Sequence, residues 1–317
     1  MATKKIVAVL MGGPSSEREI SLRSGRAVCE ALKGTEYEPV AIDTVDEWLD
    51  ELSSIKPQVA FIALHGKFGE DGTVQALLEE LKMPYTGSGV QASRLAMDKA
   101  SSVKIFKAAG IPTPEYMIAR KPSCQMTNNK IDFPVVVKPS SQGSSIGLTI
   151  VEDRSQLKKA MDLAYVFDEH ILVEKFIRGE ELTVGILDDN PLPVIKIIPN
   201  RKFYDYKAKY LSVETQYLAP APIEKKFYKK AQALALAAHN ALGCKDFSRV
   251  DMIFGEDGLI KVLEVNSIPG LTSKSLLPKA AACIGINFQQ LCIRIIQSAI
   301  RRCQEEEIIS ANIAPEE

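Results

Sequence analysis

Residues 249 to 266 restrict the possible folds of this chain more than any other stretch. They read Arg249-Val250-Asp251-Met252-Ile253-Phe254, then Gly255-Glu256-Asp257-Gly258, then Leu259 through Asn266. Two apolar runs around a short turn of Gly and Asp predict a β-hairpin. With Gly255 to Gly258 as the loop, Phe254 faces Leu259 and Arg249 lies opposite Glu264. Side chains alternate along a strand, so Arg249, Asp251, Glu264 and Asn266 share one face. Val250, Met252, Phe254, Leu263 and Val265 take the other face and are candidates for core. A lone carboxylate inside Val262-Leu263-Glu264-Val265 is costly to bury. Two acids and an amide oxygen are hard ligands of the kind that hold Mg²⁺ beside phosphates. A neighbouring arginine suits phosphate or a developing oxyanion. A surface hairpin carrying an ion pair fits the same pattern, and the segment alone leaves both readings open.

The rest of the chain supplies the setting. Its 317 residues, 46% of them hydrophobic, can bury more than one core. With 39 basic and 40 acidic residues, charge gives no case for nucleic acid or an anionic membrane as main partner. No apolar run approaches the roughly 18 residues of a membrane span, and the N-terminal run is too short for a signal segment. The six cysteines form no Cys-x-x-Cys pair, and the three histidines have no zinc spacing. A cytoplasmic protein with reduced thiols is expected.

Strand and helix patterns alternate over roughly the first 95 residues. Strands are expected at 4–11, 40–43 and 59–64, and helices at 21–32, around Trp48, Leu49 and Leu52, and at 74–81. This alternation predicts an open, mainly parallel sheet. After the rigid connector Ile111-Pro112-Thr113-Pro114 comes an α+β unit. Its expected strands are 133–138, 148–151, 171–177 and 181–187, with a helix at 155–164. Beyond it lie a strand at 192–198, a polar aromatic loop at 203–217, a long helix through Phe227 and Ala238, the hairpin, and a C-terminal helix through Phe288 and Ala299. The last dozen residues are expected to fray.

Several loops offer chemistry. Gly12-Gly13-Pro14-Ser15 follows the first strand, and Asp43 ends the second, as in a dinucleotide fold. The G-x-G-x-x-G spacing fails, however. Glu17 is then either a site for a cationic group or a helix-dipole partner. His65 ends a strand, where open α/β sheets place ligands. Gly143-Ser144-Ser145-Ile146-Gly147 lets backbone N–H groups approach phosphate oxygens, and Lys138 enters it from a strand; taken alone, a flexible hairpin connection is the plainer reading. No G-x-x-x-x-G-K-[ST] occurs, which argues against a P-loop ATPase. The connector Glu174 to Glu181 can offer a purine edge and an acid for ribose hydroxyls; a solvated charged turn is the plainer reading. Phe203 to Tyr210 suits a lid that closes over phosphates.

In order along the chain, these segments resemble the D-alanine–D-alanine ligases of the ATP-grasp superfamily. The marks are GGPSSEREIS (12–21), LHGKFGEDG (64–72), MDK (97–99), FPVVVKPSSQGSSIG (133–147), EKFIRGEE (174–181), FYDYKAKY (203–210), RVD (249–251) and LEVNSIPGLTSKS (263–275). The resemblance implies three domains, at 1–97, 98–184 and 185–317, with ATP gripped between the last two. It implies that Lys99 and Lys138 contact phosphates, with Ser144 and Ser145 in the loop beside them. Glu174, Lys175 and Ile177 would border adenine, and Glu181 would bind ribose. Tyr204, Lys209 and Tyr210 would belong to the lid, Tyr210 meeting Ser144 and Glu17 on closure. Asp251, Glu264 and Asn266 would hold two Mg²⁺ ions, replaceable by Mn²⁺. Glu17 would anchor the first D-alanine ammonium, with His65 nearby. Arg249 and the Gly270 N–H would stabilise an oxyanion, and Ser275 and Leu276 would receive the second D-alanine carboxylate. The implied reaction makes D-alanyl-D-alanine through an acyl phosphate, for peptidoglycan precursors, in a homodimer. Lys274 departs from the His of many relatives. A ligase using D-serine or D-lactate, or a silent nucleotide binder, is the alternative.

Overall fold

The computed structural model describes residues 4–121, 131–198 and 215–313. Its first sheet has three parallel strands in the order β2-β1-β3, with β1 Lys5–Met11 between β2 Tyr37–Asp43 and β3 Val59–Ile62. Helices α1 Arg18–Leu32 and α2 Trp48–Ile55 make the crossovers that parallel pairing demands. Both faces of β1 and β3 are apolar, as a sheet covered on two sides requires. Ala8, Leu10, Ala60 and Ile62 pack with Trp48 and Leu52, and with Val74 and Leu78 of α3 Thr73–Glu80. Val7, Val9 and Phe61 face the other way, onto Val28 and Leu32 of α1 and onto Leu291 and Ile295 of the last helix.

Two antiparallel sheets follow. The first, β4-β7-β5-β6, is built from Tyr116–Arg120, His170–Lys175, Val135–Pro139 and Thr149–Val151. Helix α6 Arg154–Ala164 covers it, with Leu157, Ala160, Met161 and Ala164 turned inward at helical spacing. The second has the order β11-β10-β8-β12-β13, with β9 Asn190–Pro191 added to β8. Its strands are Gln216–Leu218, Ile195–Ile198, Gly179–Leu187, Phe247–Gly255 and Ile260–Asn266. Helix α7 Lys225–Ala241 lays Ala231, Ala235 and Ala238 against it. Beside α7 lie α4 Val90–Met97 and α5 Lys99–Ala108, which sequence patterning does not announce. β8 pairs with β12 from Gly179 to Leu187, so a cut at residue 184 falls inside β8.

The chain closes with α8 Leu276–Ala282 and α9 Phe288–Ile313. α9 continues into the residues expected to fray. Among the described residues no helix is long and apolar enough to cross a membrane.

The hairpin forms, with one correction to its register. Arg249 pairs with Asn266 and Asp251 with Glu264, while Met252 pairs with Val262. Leu259 stays outside the strand, and an irregularity between Asp251 and Met252 absorbs Leu263. Such a bulge sets two residues against one and re-aims the strand. Val262 therefore joins the core, and Leu263 turns with Glu264 toward a cleft instead of inward.

Candidate active site

The two antiparallel sheets enclose a cleft of about 530 Å³. Val136, Ile146, Ile150, Leu182 and Leu263 make apolar walls, and its charged groups are Lys99, Lys138, Lys175, Glu174, Glu181, Asp251 and Glu264. Lys99 opens α5, which Asp98 caps by accepting the Ala100 N–H at 3.2 Å. Its Nζ donates to the Gln142 carbonyl at 2.8 Å and lies 3.3 Å from Glu264 Oε2. Lys138 Nζ is 2.6 Å from Glu174 Oε2, and both side chains are at most 10% exposed. Glu174 Oε1 is buried with no hydrogen-bond partner among the described residues. An unmet buried acceptor is costly, so a ligand N–H would be favoured there.

At the edge of this cleft lies the polar face of the hairpin. Arg249 grips Asp251 through two parallel bonds, Nε to Oδ1 at 2.9 Å and Nη2 to Oδ2 at 2.7 Å. Thr183 Oγ1 donates to Asp251 Oδ1 at 2.6 Å, and Asn266 Nδ2 donates to Oδ2 at 3.0 Å. Asp251 and Glu264 face each other across the ladder, and the cations nearest them are Arg249 and Lys99. This donor set suits a hard divalent cation. It holds two carboxylates and an amide; among the described residues no cluster of three His, Cys, Asp or Glu has metal-holding geometry.

A second cleft, of about 780 Å³, shares Ser144 with the first. Glu17 precedes α1 and is buried, and Ser144 donates its hydroxyl to Glu17 Oε1. Ser144 and Ser145 both adopt left-handed backbone, with φ of 53° and 58°. That conformation is uncommon for residues with a side chain and clusters at functional loops. His65 Nε2 is 2.8 Å from Ser24 Oγ, and Nδ1 is 3.2 Å from the Ile268 carbonyl. A carbonyl only accepts, so the proton sits on Nδ1 and Ser24 donates to Nε2. Burial pushes the His65 ring down to about 4, which keeps it neutral. Burial, helped by the neighbouring Glu17 carboxylate, pushes Glu70 up to about 8. Gly270 and Ser275 are close neighbours: a Cβ at 270 would lie 2.9 Å from Ser275 Oγ.

The expected residues divide between the clefts. Lys99, Lys138, Ser144, Ser145 and Glu174 line the first, as do Lys175, Ile177, Glu181, Asp251 and Glu264. Glu17, His65, Ser144 and Arg249 line the second, with Asn266, Gly270, Ser275 and Leu276. Tyr204, Lys209 and Tyr210 lie outside the described residues. Asp43, the acid that ends β2, is engaged elsewhere. Arg18 bonds both its oxygens, at 2.7 and 2.6 Å, and this pairing, foremost the hydrogen bond, lowers its pKa. Three residues join the site without having been expected: Glu70, Thr183 and Gln142. Glu70 lies within the quoted 64–72 loop, but its neighbour Glu17 is remote in sequence.

Comparison with known proteins identifies the family. A model described as D-ala D-ala ligase C-terminus matches residues 105–297. One described as D-ala D-ala ligase N-terminus matches residues 6–56 and 49–88. A D-alanine–D-alanine ligase of Syntrophotalea carbinolica is 46% identical over 299 residues, covering 94% of this chain and 97% of that one. Among solved structures, a D-alanine–D-alanine ligase from Bacillus anthracis complexed with ATP superposes with a TM-score of 0.85 at 35% identity. It covers 95% of this chain and 99% of its own. The VanG D-Ala:D-Ser ligase of Enterococcus faecalis gives 0.80 at 30% identity, covering 93% and 99%. The architecture is that of these ATP-grasp enzymes. On the match over residues 105–297 and on near full-length relatives, this chain belongs to the D-alanine–D-alanine ligase family.

Proposed function

We propose that this protein joins two D-alanines, at the expense of ATP, to give D-alanyl-D-alanine for peptidoglycan precursors. The observation that carries the reading is the meeting of two clefts at Ser144 and the hairpin face. One cleft is apolar-walled with paired lysines, and the other is polar with buried acids. In this reading the first cleft takes ATP. Its apolar walls sandwich the purine, and the unmet Glu174 Oε1 accepts from the exocyclic amine. Glu181 takes the ribose hydroxyls, with Lys175 and Ile177 at the rim. Lys99 and Lys138 turn toward the phosphates beside the Ser144–Ser145 loop. Tyr204, Lys209 and Tyr210 close over them and keep out the water that would hydrolyse an acyl phosphate.

The second cleft orients the two amino acids. Glu17 holds the first ammonium, and neutral His65 packs beside it without adding charge. The first carboxylate attacks the γ-phosphorus and ADP leaves. The second amine then attacks the acyl carbon, and phosphate leaves from a tetrahedral species. Arg249 and the Gly270 N–H stabilise the oxyanion of that species, and Ser275 and Leu276 take the second carboxylate. Positioning and charge stabilisation suffice, with no covalent nucleophile from the protein. Asp251, Glu264 and Asn266 would hold magnesium, which when bound neutralises charge on the phosphates. The chain divides into three domains, with the second break placed before β8, and the working form is a homodimer in the cytoplasm.

The test is ADP release with D-alanine, L-alanine, D-serine and D-lactate, each with and without Mg²⁺, with products identified by mass. D-alanyl-D-alanine formed with D-alanine alone supports the reading. Turnover only with D-serine or D-lactate as partner would replace the second substrate. ATP binding without turnover would point to a silent relative.

A further inference from the structure

The second cleft is electrically lopsided. Its acids, Glu17 and Glu70, of which Glu70 keeps its proton near neutral pH, belong to the N-terminal part of the chain, near His65 and Ser144. Its lysines, Lys274 and Lys279, come from the segment that also supplies Gly270 and Ser275. Lys274 is exposed at the mouth, and Lys279 is half-buried on α8. Lys279 Nζ lies 3.9 Å from the centroid of the Tyr217 ring, which itself lines the cleft. A ring face at that distance holds an ammonium in place without neutralising it.

The lysines of the first cleft differ in this respect. Lys99 and Lys138 each rest against a carboxylate. Lys274 and Lys279 form no ion pair with a described residue. Burial, then the charge of Lys274, lowers the pKa of Lys279, so the two ammonium groups feel each other. Two further cations line the cleft. Arg249 grips Asp251, and Arg23 bonds the Glu19 carbonyl at 3.3 Å. Two ammonium groups from one segment and acids from another line one cavity, which suits a ligand that is cationic at one end and anionic at the other. Two zwitterionic amino acids lying head to tail have that polarity, and so does their dipeptide.

We propose that Lys274 and Lys279 are specificity-determining residues that recognise the carboxylate of the acceptor amino acid. They add a charged clamp to the pocket at Ser275 and Leu276. The proposal rests on the ligase reading above. It makes the clamp the reason the acceptor must be an acid, and it makes acceptor binding the salt-sensitive step, since the lysines are solvent-accessible.

The experiment is initial-rate ADP release against D-alanine concentration, resolved into donor-site and acceptor-site KM. It is run for the wild type, K274Q, K279M, the double variant and K279R. D-Alaninamide serves as an acceptor without a carboxylate, and thermal melts check that each variant is folded. The double variant is expected to raise acceptor-site KM by ~10-fold or more, with kcat within ~3-fold and donor-site and ATP KM unmoved. K279R restores most of the affinity, and added salt weakens acceptor binding in the wild type only. Use of D-alaninamide is the same in all variants. An acceptor-site KM within ~2-fold of wild type in a folded double variant overturns the proposal. A parallel rise in every KM does so too, because it marks a structural role. A wild type that releases no ADP with D-alanine overturns the ligase reading itself, a result distinct from either.

Discussion

Ser144 donates its hydroxyl to the Glu17 carboxylate across 127 residues of sequence. The bond fastens the glycine-rich loop of one sheet to the entrance of α1 on another. It also lies where the two clefts touch. The residue proposed to cradle phosphates and the residue proposed to anchor the first amino acid are thereby linked directly.

Ser144→Ala removes that link and leaves Glu17 with one donor fewer. We expect a drop in kcat/KM for D-alanine of roughly 10-fold or more, with ATP affinity changed less. Donor-site KM and ATP KM, measured separately, check it. A loss confined to ATP binding would count against the coupling.

Arg249→Ala strips Asp251 of its bidentate partner and the site of its candidate oxyanion donor. Turnover should fall by on the order of 10²–10³ while ATP still binds. Near-normal turnover would remove Arg249 from the mechanism.

The ligand-free protein should be most stable near pH 6.5, the ordinary value of histidine. His65 and His239 are both pushed down to about 4 by burial. Between 6.5 and 4 the unfolded chain takes up protons that the folded rings refuse. Stability is thus lost as pH falls through that window, by on the order of 3 kcal/mol per ring. Glu70 has the opposite sign. Raised from 4.5 to about 8, it keeps a proton in the folded state that the unfolded chain releases, so stability falls as pH rises between those values. Urea midpoints at about pH 5, 6.5 and 8 test both limbs. Glu70→Gln should flatten the alkaline limb, and an unchanged limb would mean that Glu70 is ionised in the folded protein.

Asp246 ties three segments together. Its side chain is 2% exposed, accepts the Gly87 N–H at 2.8 Å and pairs with Arg302 Nη2 at 3.1 Å. Asp246→Ala should cost about 3–5 kcal/mol, because it takes the paired carboxylate from the Arg302 guanidinium, which keeps only the Tyr85 and Gly87 carbonyls among these partners, and the acceptor from the Gly87 amide. Chemical denaturation of the two proteins decides it. Activity per folded molecule should be retained, since Asp246 touches neither cleft.

The sequence discloses its core strands because apolar residues crowd them, as at Ile6 to Met11. It also discloses the polar face of the hairpin, because alternation alone puts Arg249, Asp251, Glu264 and Asn266 together. The register is harder to read. A bulge is a two-against-one mismatch between strands, and only the adjacent apolar pair Val262-Leu263 hints at it. Helices α4 and α5 stay hidden because they bury small residues such as Ala92, Ala96, Ala100 and Ser102, which barely register as an apolar stripe. Asp98 ends one helix and caps the next, so no loop separates them. Glu70 could not be singled out at all, since its raised proton affinity comes from burial and from Glu17, both products of the tertiary fold.

One face of the parallel sheet, Val7, Val9 and Phe61, is covered by Leu291 and Ile295 of the final helix. Synthesis runs from the N-terminus at about 5–20 residues per second. α1 covers part of that face with Val28 and Leu32, and the rest leaves water only when the far later α9 has been made. Until then the growing chain carries the uncovered part of that apolar face exposed. This makes the unfinished polypeptide, rather than the finished enzyme, the form most in need of a chaperone.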